Sequence, residues 1–331
     1  MRIVRGGHVR LVARRRLAAP MLACGVSGVL VTGASGFVGQ PLVDELVRRG
    51  ETVHAISTRH APGQVDGVRW HRLDLADPGA TAELLRKIAP ERLLHLAWYV
   101  EHGRFWSAPE NVLWVERSLQ LLRAFVSAGG RRAVMLGTCA EYDWTQADAP
   151  FEETRSAIAP ATLYGAAKDG LRRVATAYAE GAGCELAWGR LFFLYGPDEA
   201  SGRLVVSVIR ALLAGETIET TAGAQRRDFL HVEDVARAVA ELLASEATGP
   251  VNVASGEAVP VAAVLDSIAD AIGRPELVLR GARLEPEGDP PLLVADVTRL
   301  REEVGFRPGR SLDEGIAATI DSLRASGRAA T

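Results

Sequence analysis

Val29-Leu30-Val31-Thr32-Gly33-Ala34-Ser35-Gly36-Phe37-Val38-Gly39 runs an apolar, β-branched strand pattern straight into a turn with glycine at every third position. Pro41 to Arg49 then continues as a helical pattern. A strand, a glycine turn and a helix in this order form a phosphate cradle. Gly33 permits the tight turn, Gly36 lets backbone approach a pyrophosphate, and Gly39 lets helix pack on strand. The unpaired amides of the helix N-terminus face the phosphates, so Ser35, Phe37 and Val38 share the loop that would hold a dinucleotide.

Further strand patterns follow at Thr52 to Ser57, Leu93 to Leu96, Ala133 to Leu136 and Leu186 to Leu191, most of them separated by helical patterns. Alternating strand and helix predicts an α/β fold, a Rossmann-type doubly wound parallel sheet whose ligands lie beyond the strand C-termini. In such folds an acid at the end of the second strand binds the adenosine ribose, whereas an arginine there accommodates a 2′-phosphate. Here the strand ends Ile56-Ser57-Thr58-Arg59, without an acid. Two hydroxyls and a guanidinium suit phosphate, so NADP(H) is preferred and NAD(H) is the alternative. The plain reading of Arg59 is a loop arginine turned to solvent.

Only two lysines occur in the 331 residues, and Lys168 falls four residues after Tyr164. If Leu163 to Ala179 is helical, phenol and ammonium project from one face. The cation is then expected to lower the phenol pKa from about 10 and make Tyr164 a usable proton donor or acceptor.

The glycine spacing and the Tyr-x-x-x-Lys pair together resemble the extended short-chain dehydrogenase/reductase branch, the nucleotide-sugar epimerase/dehydratase/reductase family. The resemblance runs from Val29 to Leu323. It includes Asp74-Leu75 as an adenine-contacting pair, His95-Leu96-Ala97 as a loop along the cofactor, and Leu136-Gly137-Thr138 as a strand end bearing a catalytic hydroxyl. Arg190 to Pro197 resembles the strand crossing into the substrate lobe, and Arg227 to Ala236 and Ala295 to Val297 resemble two late signatures. The resemblance implies a catalytic triad of Thr138, Tyr164 and Lys168. It also implies a nucleotide-sugar substrate and a homodimer built on the helices around Asn111 to Ser127 and Leu163 to Ala179. Residues 25–192 with 227–255 are expected to form the cofactor domain, and 193–226 with 256–331 a smaller, discontinuous C-terminal substrate lobe. Residues 1–24 read as a basic extension, either a disordered arm or the product of a start upstream of Met21; the apolar run before Cys24 is too short for a signal peptide.

Four departures from the family pattern narrow the chemistry. The 4,6-dehydratases carry an acid pair directly after the triad threonine, but Cys139 and Ala140 stand there. Glu141 comes one place late, and a continuing strand would turn it to the opposite face. Trp114 replaces a helix asparagine, Phe193 a strand asparagine, and the late arginine before Gly-Asp is replaced near Pro286. Arg227 remains as a diphosphate candidate, with Arg203 and Arg283 as helpers. The block Trp98 to Trp106 either walls a deoxysugar pocket, with Trp98 touching substrate, or packs the lobe interface.

The leading reading is an NAD(P)H-dependent reductase of a nucleotide-activated 4-keto-6-deoxyhexose. The alternatives are an NAD-dependent 4-epimerase and a non-catalytic nucleotide sensor. A formal net charge of −3 gives no general field for nucleic acid or a membrane surface. Cys24, Cys139 and Cys184 form neither a disulfide framework nor a metal site, which fits a reducing cytoplasm.

Overall fold

The computed structural model describes residues 28–58 and 66–329. Arg59, Cys24 and the basic extension of residues 1–24 lie outside the described residues.

β1 (Val29–Thr32) is buried along its whole length, as is β2 (Val53–Ser57), so both are covered on two faces, with Thr32, His54 and Ser57 buried among their apolar residues. α1 (Gly39–Arg48) crosses between them. β3 (Val68–Arg72) was not legible as a strand. Its Val-Arg-Trp-His-Arg sequence is only half-buried because it forms the sheet edge, where charged side chains also discourage further pairing. α2 (Pro78–Ile88) starts at Asp77, whose side chain accepts from the Ala80 amide, with proline in the first turn. β4 (Arg92–His95), α3 (Glu110–Ser127), β5 (Arg132–Thr138), α4 (Leu163–Ala182) and β6 (Glu185–Leu191) complete the first six strands and their helices.

The chain then builds a second set of elements: β7 (Phe193–Tyr195), α5 (Leu204–Ala214), β8 (Ile218–Thr220), β9 (Arg226–Arg227) and β10 (Phe229–His231). α6 (Val232–Ala244) and β11 (Gly249–Val253) return to the main sheet, whereas β10 pairs with β7. β12 (Val259–Pro260), α7 (Val261–Ile272), β13 (Val278–Arg280), β14 (Leu292–Leu293), α8 (Thr298–Glu302) and α9 (Leu312–Ala329) follow. Val208, Ile209 and Leu212 of α5 pack with Val264, Leu265 and Ile268 of α7 and Ile316 of α9 in an apolar cluster separate from those that cover the large sheet.

The seven-stranded sheet has the order β11-β6-β5-β4-β1-β2-β3 and every pair in it is parallel. β1 lies between β2 and β4, so the chain order reverses there. The crevice beyond the strand C-termini at that reversal is where such folds bind ligands.

Candidate active site

A cavity of about 1200 Å³ opens along that crevice and continues between the sheet and the later elements. Its floor is the glycine turn: Gly33, Ser35, Gly36, Phe37, Val38 and Gly39 all line it. Gly33 has φ +69°, and a Cβ there would lie 2.8 Å from the Ala97 amide nitrogen. A Cβ on Gly39 would stand 2.1 Å from the Gly33 carbonyl oxygen, so α1 can meet β1 this closely only through glycine. Ser57 and Thr58 form the wall at the end of β2, with the Ser35 and Ser57 hydroxyls 2.9 Å apart. Asp74, Leu75, Leu96 and Ala97 complete this end. Every cofactor residue expected from sequence and lying within the described residues is thus on one continuous surface.

Thr138, Tyr164 and Lys168 line the middle of the same cavity. Thr138 ends β5 and starts a 3-10 turn, Cys139–Glu141, its hydroxyl accepting from the Ala140 amide at 3.2 Å. Thr162 caps α4 by accepting from the Gly165 amide at 3.1 Å, which fixes the helix start two residues before Tyr164. The phenol of Tyr164 lines the cavity beside the Thr138 hydroxyl. Contrary to the sequence expectation, its pKa is not lowered by Lys168. Burial pushes it up, and the neighbouring Thr138 hydroxyl offsets only part of that rise. The ammonium of Lys168 instead donates to the Leu136 carbonyl at 2.8 Å and stands 3.8 Å from the centre of the Trp98 ring. Burial lowers its pKa to about 7, against a raising influence from Glu141.

Glu141 does not continue a strand. The 3-10 turn carries it into the interior, where it is fully buried and accepts from the Thr138 amide, Trp188 Nε1 and Arg190 Nε at 3.0, 2.9 and 2.7 Å. Cys139 is buried too, and its thiol is raised to about 12, first by burial and then by Asp228 and Glu141. Neither replaces the missing acid pair.

The aromatic block wraps the centre of the site. Trp98 is buried, with its indole N–H donating to Asn111 Oδ1 at 2.8 Å, and it packs in the core between the sheet, α3 and α4 while lining the cavity. Phe105 and Trp106 meet the Tyr164 ring edge-on, with centres 5.0 and 5.8 Å away. Asn111 was not singled out from sequence, since a buried amide on a helix leaves no periodic signal.

At the far end Arg203, Arg227 and Arg283 line the cavity. Arg227 is buried and already engaged, donating to Asp289 at 2.6 Å and to the Pro290 carbonyl at 2.7 Å. Arg203 lies 3.6 Å from Glu199, a buried carboxyl that desolvation raises to about 7 despite the opposing Arg203 charge. Phe193, in place of the family asparagine, carries the Arg227 guanidinium 5.6 Å from its ring centre. A smaller recess of about 550 Å³ between Asp143 and Ala157 contains none of these residues.

Known proteins agree with this geometry. The chain is 29% identical over 321 residues to UDP-glucose 4-epimerase of Mycolicibacterium smegmatis, covering 89% of this chain and 98% of the relative. It is 30% identical over 321 residues to dTDP-4-dehydro-6-deoxy-D-allose reductase of Streptomyces bikiniensis, covering 89% and 96%. Among solved structures, MoeE5 in complex with UDP-glucuronic acid and NAD superposes with a TM-score of 0.78 at 32% identity, covering 90% of this chain and 99% of that one. The family model described as NAD dependent epimerase/dehydratase family matches residues 29–254. With a seven-stranded parallel sheet, the glycine turn and the Tyr-x-x-x-Lys helix around one cavity, the chain belongs to that family, a group of oxidoreductase-type enzymes acting on nucleotide sugars.

Proposed function

We propose that the protein reduces a keto group on a nucleotide-activated 4-keto-6-deoxyhexose, using NADPH in preference to NADH. The observation that carries this reading is the state of Tyr164. It is half-buried, lines the cavity beside Thr138 and Lys168 with Phe105 and Trp106 against its ring, and desolvation keeps its phenol neutral, the protonation state of a donor to a carbonyl oxygen. The end of β2 supports the cofactor choice, since Ser57 and Thr58 line the cavity and the stretch Ile56 to Arg59 contains no acid to repel a 2′-phosphate.

Gly33 to Gly39, Ser57, Thr58, Asp74, Leu75, Leu96 and Ala97 would hold the nicotinamide dinucleotide, which supplies hydride when bound. Tyr164 delivers a proton to the sugar carbonyl oxygen. Thr138 hydrogen-bonds the same oxygen and stabilises the alkoxide character that develops on it. Lys168 binds the nicotinamide ribose with its charged amine. Arg227, Arg203 and Arg283 take the substrate diphosphate, and Trp98 and Trp106 close the centre against water. Val112 and Leu113 on α3 and Leu163 and Val174 on α4 are exposed apolar residues, and they supply the faces on which two copies would associate.

A second reading, 4-epimerisation with retained NAD, is favoured by the relatives named UDP-glucose 4-epimerase and by the NAD in the MoeE5 complex. Nucleotide released by denaturing the purified protein, with titration of the stripped protein by NADPH and NADH, separates the two. Exchangeable binding that prefers NADPH, followed by its oxidation on addition of a nucleotide-activated 4-keto-6-deoxyhexose, is the expected result. Stoichiometric trapped NAD, with interconversion of 4-epimers and no net cofactor oxidation, would overturn it.

A further inference from the structure

Lys168 is held by two contacts: its ammonium donates to the Leu136 carbonyl at 2.8 Å and stands 3.8 Å from the centre of the Trp98 ring. That ring is fixed from behind. Its indole N–H donates to Asn111 Oδ1 at 2.8 Å, and the Asn111 amide nitrogen donates to the Phe105 and Ala108 carbonyls at 2.7 and 2.9 Å. Asn111 is fully buried, so the indole cannot turn without leaving a buried amide oxygen unpaired. The Trp114 ring lies 6.1 Å beyond, at a 33° tilt.

We propose that Trp98 is a positioning residue for Lys168: its indole face, fixed by Asn111, keeps the ammonium charged and oriented for the cofactor ribose. The inference rests on the reading that Lys168 acts in hydride transfer. A buried ammonium loses most of its hydration, and an indole face returns part of that loss electrostatically, which an aliphatic side chain of similar volume cannot. The titratable and charged groups around Lys168 are few. Glu141, from the turn after β5, favours the cation. His95, at the end of β4, is buried, its imidazole lowered to about 3 by desolvation and then by the Lys168 charge, and so stays neutral. Tyr164, one turn earlier on α4, is held as a phenol. On α3, Arg117 lies over Trp114, with 5.4 Å from its guanidinium carbon to the ring centre. Within this setting the Trp98 face is the polarisable contact that distinguishes the charged amine from the neutral one.

The chain's two lysines make the test direct. With 13C-labelled lysine the full-length protein shows one resonance from Lys168 and one from Lys87, exposed on α2, assigned by comparison with Lys168→Met. Removing the π face in Trp98→Leu is expected to move the Lys168 titration midpoint down by about 0.5–1 pH unit, and Trp98→Phe, which keeps a face, by less than half of that. The alkaline limb of kcat/KM moves with it, and the double variant Trp98→Leu, Lys168→Met is no slower than Lys168→Met alone. An unmoved Lys168 midpoint in Trp98→Leu, with a circular dichroism spectrum and urea midpoint that report a folded protein, overturns the proposal. So do rate losses that multiply in the double variant. Full turnover by Lys168→Met would instead remove Lys168 from the reaction, and the role of Trp98 with it.

Discussion

Replacing Glu141 with glutamine tests whether this late acid is a latent catalytic group or an internal counter-ion. Glu141 Oε1 accepts from the Thr138 amide and from Trp188 Nε1, while Oε2 accepts from Arg190 Nε at 2.7 Å. Both Glu141 and Arg190 are almost wholly buried. In Glu141→Gln the amide oxygen can keep only one of these sides. If it satisfies Thr138 and Trp188, the new NH2 group faces the Arg190 guanidinium, donor against donor, with the cation uncompensated. Breaking one partner of a buried pair costs about 3–5 kcal/mol. Set against a typical total stability of about 5–15 kcal/mol, that loss is large but survivable. Urea unfolding followed by tryptophan fluorescence should show it as a lower midpoint with an unchanged slope. Turnover per folded molecule should fall by no more than about tenfold, through the lost support of the Lys168 ammonium and not through a proton donated by Glu141. Adding Arg190→Met should recover part of the stability, since the stranded charge leaves with it. A loss below about 1 kcal/mol together with a hundredfold fall in turnover would refute the counter-ion reading and restore Glu141 as a candidate acid.

Tyr164→Phe should retain cofactor binding and lose about 10²–10⁴ in kcat, measured with saturating cofactor and a keto-sugar nucleotide; unchanged turnover would remove the phenol as the proton donor. Lys168→Met should slow turnover by about 10²-fold or more while leaving a measurable residual rate, and should raise stability at pH 7. The folded pKa of Lys168 is about 7, against 10.5 for the free side chain. Below pH 7 the buried ammonium therefore weakens the fold in full, and stability climbs as pH rises from 7 toward 10.5 while the unfolded chain still holds the proton. Urea midpoints between pH 6 and 10 should show that slope in the wild type and a shallower one in Lys168→Met. Arg59→Ala, at a position outside the described residues, should weaken NADPH binding selectively over NADH; equal losses in both titrations would deny Arg59 a phosphate role.

The glycine turn was legible because its constraints are local. Gly33 needs a positive φ and Gly39 a bare Cα against the Gly33 carbonyl, and both needs are written in the spacing itself. The Tyr164 and Lys168 spacing likewise fixed their helix face. Burial, by contrast, is set by distant residues. It overturned the expected pKa shift of Tyr164, because desolvation of the phenol outweighs a cation engaged by Leu136 and Trp98. The same non-locality hid Glu141: Thr138 caps a 3-10 turn and sends the next acid inward to meet Arg190, a residue 49 positions later. β3 escaped because an edge strand needs no apolar run.

The substrate end follows from these substitutions taken together. Phe193 offers a ring where an asparagine would offer an amide, and Pro286 cannot donate a side-chain hydrogen bond where the family has an arginine. Of the three guanidinium groups left for the diphosphate, two already have partners: Arg227 on Asp289 and the Pro290 carbonyl, Arg203 beside Glu199. Binding an anion there sets substrate phosphate against the Asp289 carboxylate for Arg227, and Asp289 belongs to the loop from Glu285 to Pro291. On the proposed function, substrate binding therefore displaces that loop carboxylate or accepts a like charge beside it. Either way part of the phosphate binding energy is consumed before chemistry. On the proposed function the same competition weakens the hold on product, and a reductase must release both product and spent cofactor after each turnover.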